Sequence, residues 1–549
     1  VLNLEGLEPA VPITPPGAKP PPSAPPSESA ALDHSLRAVG HGSMVSLIGS
    51  ISQLFFTFVA YVIAVRVLSI SNWGEYTLGV SVTGLLSLVG LLGLSQAMAR
   101  SLAFEKDPAE RRAIIRWGLG VSLVSAIALS STVFFSAGEL SDLFHNQALV
   151  PVFEVMSVTV GFGILSTAIG GIFQGFKDVA PNALIGNATN AALFALFLVV
   201  LIYFRGGVVG VVVAYVASNG VALGLLVLYT LRRLPRHLKA DVPAHARPRP
   251  TLWSYTFAFW GANNLVFITA YADTLILGVF WPSQQVGYYS AAMTLARILL
   301  FGTTALAFIF LPIAASLIAD GDEAAVRSTY VTSTRWVLLV TVPFFLLFAF
   351  APQRSMEFVW GHRYEPGAAA LQILVLSSFL ASMVGPVQSC LAGIGKAKVL
   401  VWTSSASAVT NITLSLILIP RYGVIGAAIA WGVARAMLPL LGLSVLYEFQ
   451  RITPFRRVLL LPLGVTLAIG GPVVYLSTLV VHSSYVVVPL FFFGATLYIG
   501  CILLTRTLTR DDLVLLQGLE RILGRPLPAV RQFLLRFIRE PAPLPSAPR

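Results

Sequence analysis

Charge is what this chain has least of. Only 11% of its 549 residues are Asp, Glu, Lys or Arg, 56% are hydrophobic, and the mean hydropathy is +0.81. Soluble globular chains carry about 25% charged residues, so an ordinary water-soluble domain is excluded. Cysteine is nearly absent too. The two present, Cys390 and Cys501, both fall in apolar runs, which leaves no disulfide scaffold or paired-cysteine metal site and makes them small buried hydrophobes. No HExxH, Walker loop or nucleophile elbow occurs, and the seven histidines are scattered through tail, loops and span ends. The chain is therefore not expected to be an enzyme, to hold a metal or other cofactor, or to hydrolyse ATP. Alternating strand patterns are missing, which argues against a closed β-barrel. The stretch from Pro9 to Pro26 is half proline, with no apolar core behind a basic start. It reads as a disordered tail and not as a secretory leader.

What the chain does have is one long apolar run after another. Counting runs of membrane-crossing length predicts an all-α polytopic membrane protein of about 14 transmembrane helices. Lys and Arg then set the orientation. With the N-terminus inside, 29 of the 36 fall on cytoplasmic segments, five on outer ends and loops, and two within spans. This asymmetry predicts a multi-pass cell-membrane protein with both termini cytoplasmic. The formal charge of +12 accordingly points to anionic headgroups and not to nucleic acid.

The chain also echoes itself. "NWGEY" returns as "QVGYY", with Gly74 and Gly287 in register; "GIFQGFKDV" returns as "LAGIGKAKV", and "GVVGVVVAYV" as "GVIGAAIAWG". Three matches in order, at nearly one offset, predict two six-helix repeats. An even number of helices keeps both halves in the same orientation, related by an axis along the membrane normal, with a central cavity between them. The expected organisation is a Pro-rich disordered cytoplasmic tail over 1–40, a six-helix bundle over 41–240, and a basic linker over 241–253. A second bundle follows over 254–450, then two additional helices over 451–505 and a basic amphipathic tail over 506–549.

Chemistry can then reside only in polar residues within the spans, since intramembrane charges are rare and face a bundle interior or an aqueous cavity. Asp273 lies inside the seventh span, Arg297 about 15 Å into the eighth and Arg435 about 18 Å into the twelfth by helical rise. Asp273 and Arg297 sit at similar depth on consecutive helices. They read either as an ion pair joining the helices or as a gating or ion-coupling element. Arg435 has no obvious acid, and a guanidinium facing a cavity suits a diphosphate. Asn263 and Asn264, on the helix of Asp273, are the amides best placed to line a sugar path; Asn187, Asn190 and Asn411 suit hydrogen bonds between helices. Arg66 and Glu154, near outer span ends, suit snorkelling to headgroups. The turn carrying Gly287 and Tyr289 reads as a repeat feature without chemistry of its own.

These segments resemble a known family. "VRVLSISNWGEYTLGVSVTGLLSLVGLLGLSQAMAR" looks like the opening of the polysaccharide biosynthesis proteins, the O-antigen type flippases; "ADTLILGVFWPSQQVGYYSAA" and "FVWGHRYEPGAAALQILVLS" are similar to its second half. The resemblance runs from about Gly42 to Phe449. It places the chain in a superfamily with drug antiporters and lipid II flippases. It implies a flippase, working by alternating access on a polyprenyl-diphosphate-linked oligosaccharide among membrane lipids; the chain itself is expected to be a monomer. By that analogy transport is coupled to protons or sodium, and Asp273 matches the acidic position of the family pattern. A lipid II flippase and a drug or cation antiporter are the rivals within the superfamily. A membrane polymerase or glycosyltransferase is the rival outside it, disfavoured by the short external loops.

Overall fold

The computed structural model describes residues 28–91, 93–203, 207–237, 269–319, 323–394, 396–450, 453–455 and 457–505, with isolated positions beyond. Every element among them is helical. Among the described residues, ten helices are long and apolar enough to cross a membrane, or up to eleven if the bent pair formed by α2 and α3 counts as one span. The outward surface is apolar as well, with Phe135 83% and Leu504 86% exposed, as expected where lipid is the solvent.

The first part of the chain comprises α1 (Glu28–Val67), α2 (Ile70–Gly90), α3 (Leu94–Phe104), α4 (Pro108–Phe135), the short α5 (Ala137–Leu143) and α6 (Val150–Gly175). A π-helical turn over Pro181–Thr189 leads into α7 (Asn190–Tyr203), and α8 (Gly207–His237) follows. Helix α1 starts at Glu28, inside the stretch expected to be a disordered tail. The described remainder comprises α9 (Thr269–Phe280), α10 (Ser283–Ala319), α11 (Glu323–Phe350), α12 (Pro352–Trp360), α13 (Ala368–Val384) and α14 (Val387–Gly393). Then come α15 (Ala397–Gln450), α16 (Arg457–Val480) and α17 (Val487–Leu504).

Helix α15 is too long for one crossing, since 54 residues would reach about 80 Å. It is two helices meeting at Gly423, whose φ of 54° and ψ of −127° interrupt the helical geometry. A Cβ on Gly426 would lie 2.4 Å from the carbonyl oxygen of Leu418, so the backbone folds back tightly here. The indole of Trp281 donates to the Ile419 carbonyl at 2.8 Å and holds the turn against the end of α9. A left-handed glycine is what lets the chain reverse without a longer loop.

Helices α2 and α10 cross in close contact near their N-terminal ends. A Cβ on Gly74 would meet the Ser283 carbonyl oxygen at 1.8 Å, and one on Gly287 would meet that of Ile70 at 2.3 Å. One hydroxyl, Thr77 Oγ1, donates to Ser290 Oγ across the crossing at 3.3 Å. These contacts are reciprocal at one sequence separation, 213: 70 answers 283, 74 answers 287 and 77 answers 290. Backbones approach this closely in membranes only where small residues let them. The amide of Asn146 reinforces the same end, donating to Glu75 Oε1 at 3.1 Å and to Ser283 Oγ at 2.9 Å.

Candidate functional site

Two cavities meet on α10. One is a groove of about 610 Å³ running between α1, α10, α11, α12 and α17, walled by Phe55, Phe58, Phe344, Phe348, Phe491 and other apolar side chains. The other is a chamber of about 80 Å³ at the crossing of α2 and α10, lined by Trp73, Tyr76, Thr77, Ser81, Tyr271, Thr274 and Ser290. Tyr61, Thr294 and Arg297 line both. Arg297 lies about 21 Å along α10 by helical rise. It is exposed to these spaces, so a cation stands where an apolar surface gives way to a hydroxyl-rich one. Trp73 Nε1 and Tyr76 Oη are buried in the chamber wall, and among the described residues they have no hydrogen-bond partner. Trp73 stacks on Tyr76 at 5.2 Å and meets Tyr61 edge-on at 5.1 Å, which makes the wall rigid and aromatic.

Asp273 faces elsewhere. Its neighbours Tyr271 and Thr274 face the chamber, while its own carboxylate, 3% exposed, accepts hydrogen bonds from α15 and α10. Ser415 Oγ donates to Oδ1 at 2.7 Å, Asn411 Nδ2 to Oδ1 at 3.0 Å and Tyr289 Oη to Oδ2 at 3.3 Å. The expected ion pair with Arg297 is absent among the described residues: neutral dipoles surround the carboxylate, and the guanidinium turns to the cavities. Consecutive helices at equal depth can present their side chains to different neighbours, and depth alone does not set the rotation. Tyr289, two residues beyond Gly287, is one of the partners of Asp273. Asn411 and Ser415 are four residues apart and so share a helix face, but the sequence does not show which helix faces Asp273. Asn411 Oδ1 is itself buried, with no partner among the described residues. The cluster thus brings together five oxygens from four side chains.

Arg435 lines neither cavity. Its Nε is buried and lacks a partner among the described residues. Asn190 and Asn219 bond each other between α7 and α8 at 3.1 Å, as expected of amides joining helices. Asn263 and Asn264 lie outside the described residues, as do most of the C-terminal tail and the 241–253 linker. Arg66 is exposed and turns to α12. Its guanidinium donates to the carbonyls of Phe358 and Val359 at 2.6 and 3.0 Å. Among the described residues no cluster of His, Cys, Asp and Glu suits a metal, and both cysteines are buried and unbridged.

The class these features define is a multi-span, all-α membrane protein of transporter fold. The arrangement is similar to that of a lipid II flippase solved in an inward closed conformation, with a TM-score of 0.68 and 14% identity over 83% of this chain and 97% of that one. It also resembles an inward-facing multidrug transporter of the MATE family, with a TM-score of 0.60 and 16% identity over 74% of this chain and 97% of that one. The family model for polysaccharide biosynthesis proteins matches residues 39–318, and the chain belongs to that family. A Shigella flexneri protein named as an O-antigen transporter is 22% identical over 395 residues, 70% of this chain and 91% of that protein. A Haloferax volcanii protein named as a low-salt glycan biosynthesis flippase is 23% identical over 186 residues, 34% of this chain and 39% of that protein.

Proposed function

We propose that this protein flips a polyprenyl-diphosphate-linked oligosaccharide across the cell membrane by alternating access. The observation that carries this reading is the meeting of an apolar groove and a hydroxyl-lined chamber at Tyr61, Thr294 and Arg297. A lipid-linked saccharide has the matching sequence of parts: an apolar tail, an anionic diphosphate and a polyhydroxylated head. Guanidinium pairs with phosphate in a fork geometry, and aromatic walls with free N–H and O–H groups suit sugar faces and hydroxyls. The substrate class named for the Shigella and Haloferax relatives is consistent with this.

The reciprocal crossing of α2 and α10 supports two six-helix halves, with α16 and α17 as an addition and fourteen crossings in all. Both termini are then cytoplasmic, and the chain acts as a monomer. Asp273 is the coupling site in this reading. A carboxylate among neutral dipoles, with an unused Asn411 oxygen beside it, would take a proton or a sodium ion, as intramembrane carboxylates of transporters do. Arg435 is proposed as a second contact for the anionic substrate, and Asn263 and Asn264 as contacts for its sugars.

The test uses the reconstituted protein and a fluorescent polyprenyl-diphosphate glycan in vesicles. Arg297→Ala should slow movement by at least about tenfold, the effect of about 1.4 kcal/mol, with Arg297→Lys intermediate. Asp273→Asn should remove the response to an imposed proton or sodium gradient while leaving folded yield intact. A lipid drug cation moved in preference to the glycan, or Arg297→Ala at the wild-type rate, would overturn the assignment.

A further inference from the structure

At the end of the molecule where α2 and α10 cross, two helices stop facing each other. Helix α1 ends at Val67 and α12 at Trp360. The last backbone bonds leaving them run from Leu68 N–H to the Ala64 carbonyl and from Gly361 N–H to the Glu357 carbonyl. The next carbonyls, which a helix end leaves without backbone partners, go to arginines, and each arginine belongs to the other segment. Arg66, on α1, donates to the Phe358 and Val359 carbonyls of α12. Arg363, three residues past the end of α12 at Trp360, donates to the Val65 and Arg66 carbonyls of α1 at 3.5 and 2.5 Å. Residues nearly 300 apart in sequence thus cap one another's helices.

We propose that Arg66 and Arg363 form the latch that holds this end of the transporter shut. The proposal rests on the alternating-access reading above, in which the Lys and Arg distribution assigns this end to the outside. Their partners suit a contact that must break in every cycle. Nearby carboxylates are engaged elsewhere, Glu357 by Arg354 at 3.2 Å and Glu365 by His362 at 3.3 Å. Among the described residues neither latch arginine meets an acid. When the end opens, water or lipid phosphate can replace a carbonyl at each guanidinium, and no carboxylate is stranded without its counter-charge. A buried ion pair would be far harder to part reversibly. The partial negative charge of a helix C-terminus supplies the attraction, and using both termini makes the latch two-sided.

Spin labels on Leu143→Cys and Gln353→Cys, both exposed near this end, would report its opening in the full chain in lipid nanodiscs, with Cys390 and Cys501 replaced by Ser. The long-distance population should rise about threefold in Arg66→Gln and again in Arg363→Gln, the size of a lost cation at a helix C-terminus. It should rise further in the double variant, with melting temperature kept. Arg66→Lys keeps the charge but loses the fork and should fall between. An unchanged distance distribution in a folded double variant overturns the latch. If the Gln variants fail to fold, Arg66→Cys with Val359→Cys, joined by a short thiol-reactive linker, should stop glycan movement until the linker is cleaved; undiminished movement in the linked protein overturns it. Distances that shift in a protein moving no glycan would keep the latch and sink the proposed substrate.

Discussion

Asp512→Ala is expected to destabilise this protein by about 3–5 kcal/mol, because it breaks a buried ion pair. Asp512, past the end of α17, is fully buried and faces Arg335 of α11, which is 4% exposed. Both carboxylate oxygens accept from the same guanidinium nitrogen, Trp336 Nε1 adds a hydrogen bond at 2.9 Å, and Arg335 also donates to the Thr507 carbonyl. The C-terminal segment is thereby strapped to α11. Removing the acid alone takes the counter-charge from a buried guanidinium that keeps the Thr507 carbonyl among its contacts. Removing both partners, as in Asp512→Ala with Arg335→Met, should recover much of the loss. Thermal unfolding of the purified protein checks this, and an Asp512→Ala melting temperature equal to wild type would refute it. The pair Arg354–Glu357 is the internal contrast. Its side chains are 23% and 26% exposed, so Glu357→Gln should cost no more than about 1 kcal/mol after solvent screening.

Gly74→Ala is the second large effect expected, and it acts on conformation as much as on stability. The new methyl would lie 1.8 Å from the Ser283 carbonyl oxygen. That neighbour is backbone, so no side chain can turn aside and α2 and α10 must separate. Overpacking of this kind costs about 1–3 kcal/mol. It also disfavours the state in which the two helices touch. Gly287→Ala should do the same from the other side, since its methyl would meet the Ile70 carbonyl oxygen at 2.3 Å. Gly120→Ala is the control, because nothing lies within 4 Å of the added atom. It should be neutral or slightly stabilising, as alanine is the better helix former by about 1 kcal/mol. Melting temperature, with thiol labelling of Leu143→Cys from outside, would follow both consequences. A wild-type melting temperature and labelling rate in Gly74→Ala would show that the crossing is looser than these distances.

The helices were legible because lipid demands that every backbone group be satisfied within its own segment. An apolar run of sufficient length therefore reads directly as a helix. The places where runs break were harder. The pair α2 and α3 bends by 42°, and α13 is separated from α14 at Gly385, yet each was a single apolar stretch in the sequence. The Arg66 carbonyl contacts, likewise, could not be read from a terminal arginine that looked suited to headgroups.

The site divides along the same line. Asp273, Arg297 and Arg435 stood out by themselves, because a charge in an apolar run is conspicuous and expensive. Their partners did not. Ser415, Asn411 and Tyr289 are ordinary residues of membrane helices, and only the docking of α9 against α15 and α10 makes them a shell around one carboxylate. Solvent class, helical architecture and family likeness, and which residues are costly enough to need a reason, are therefore properties of the sequence itself, set by composition and local pattern. Which way each costly residue turns is a property of tertiary packing. A helix can rotate about its axis without changing its apolar pattern, and that rotation sends Asp273 to Asn411 and Ser415 and leaves Arg297 to the groove.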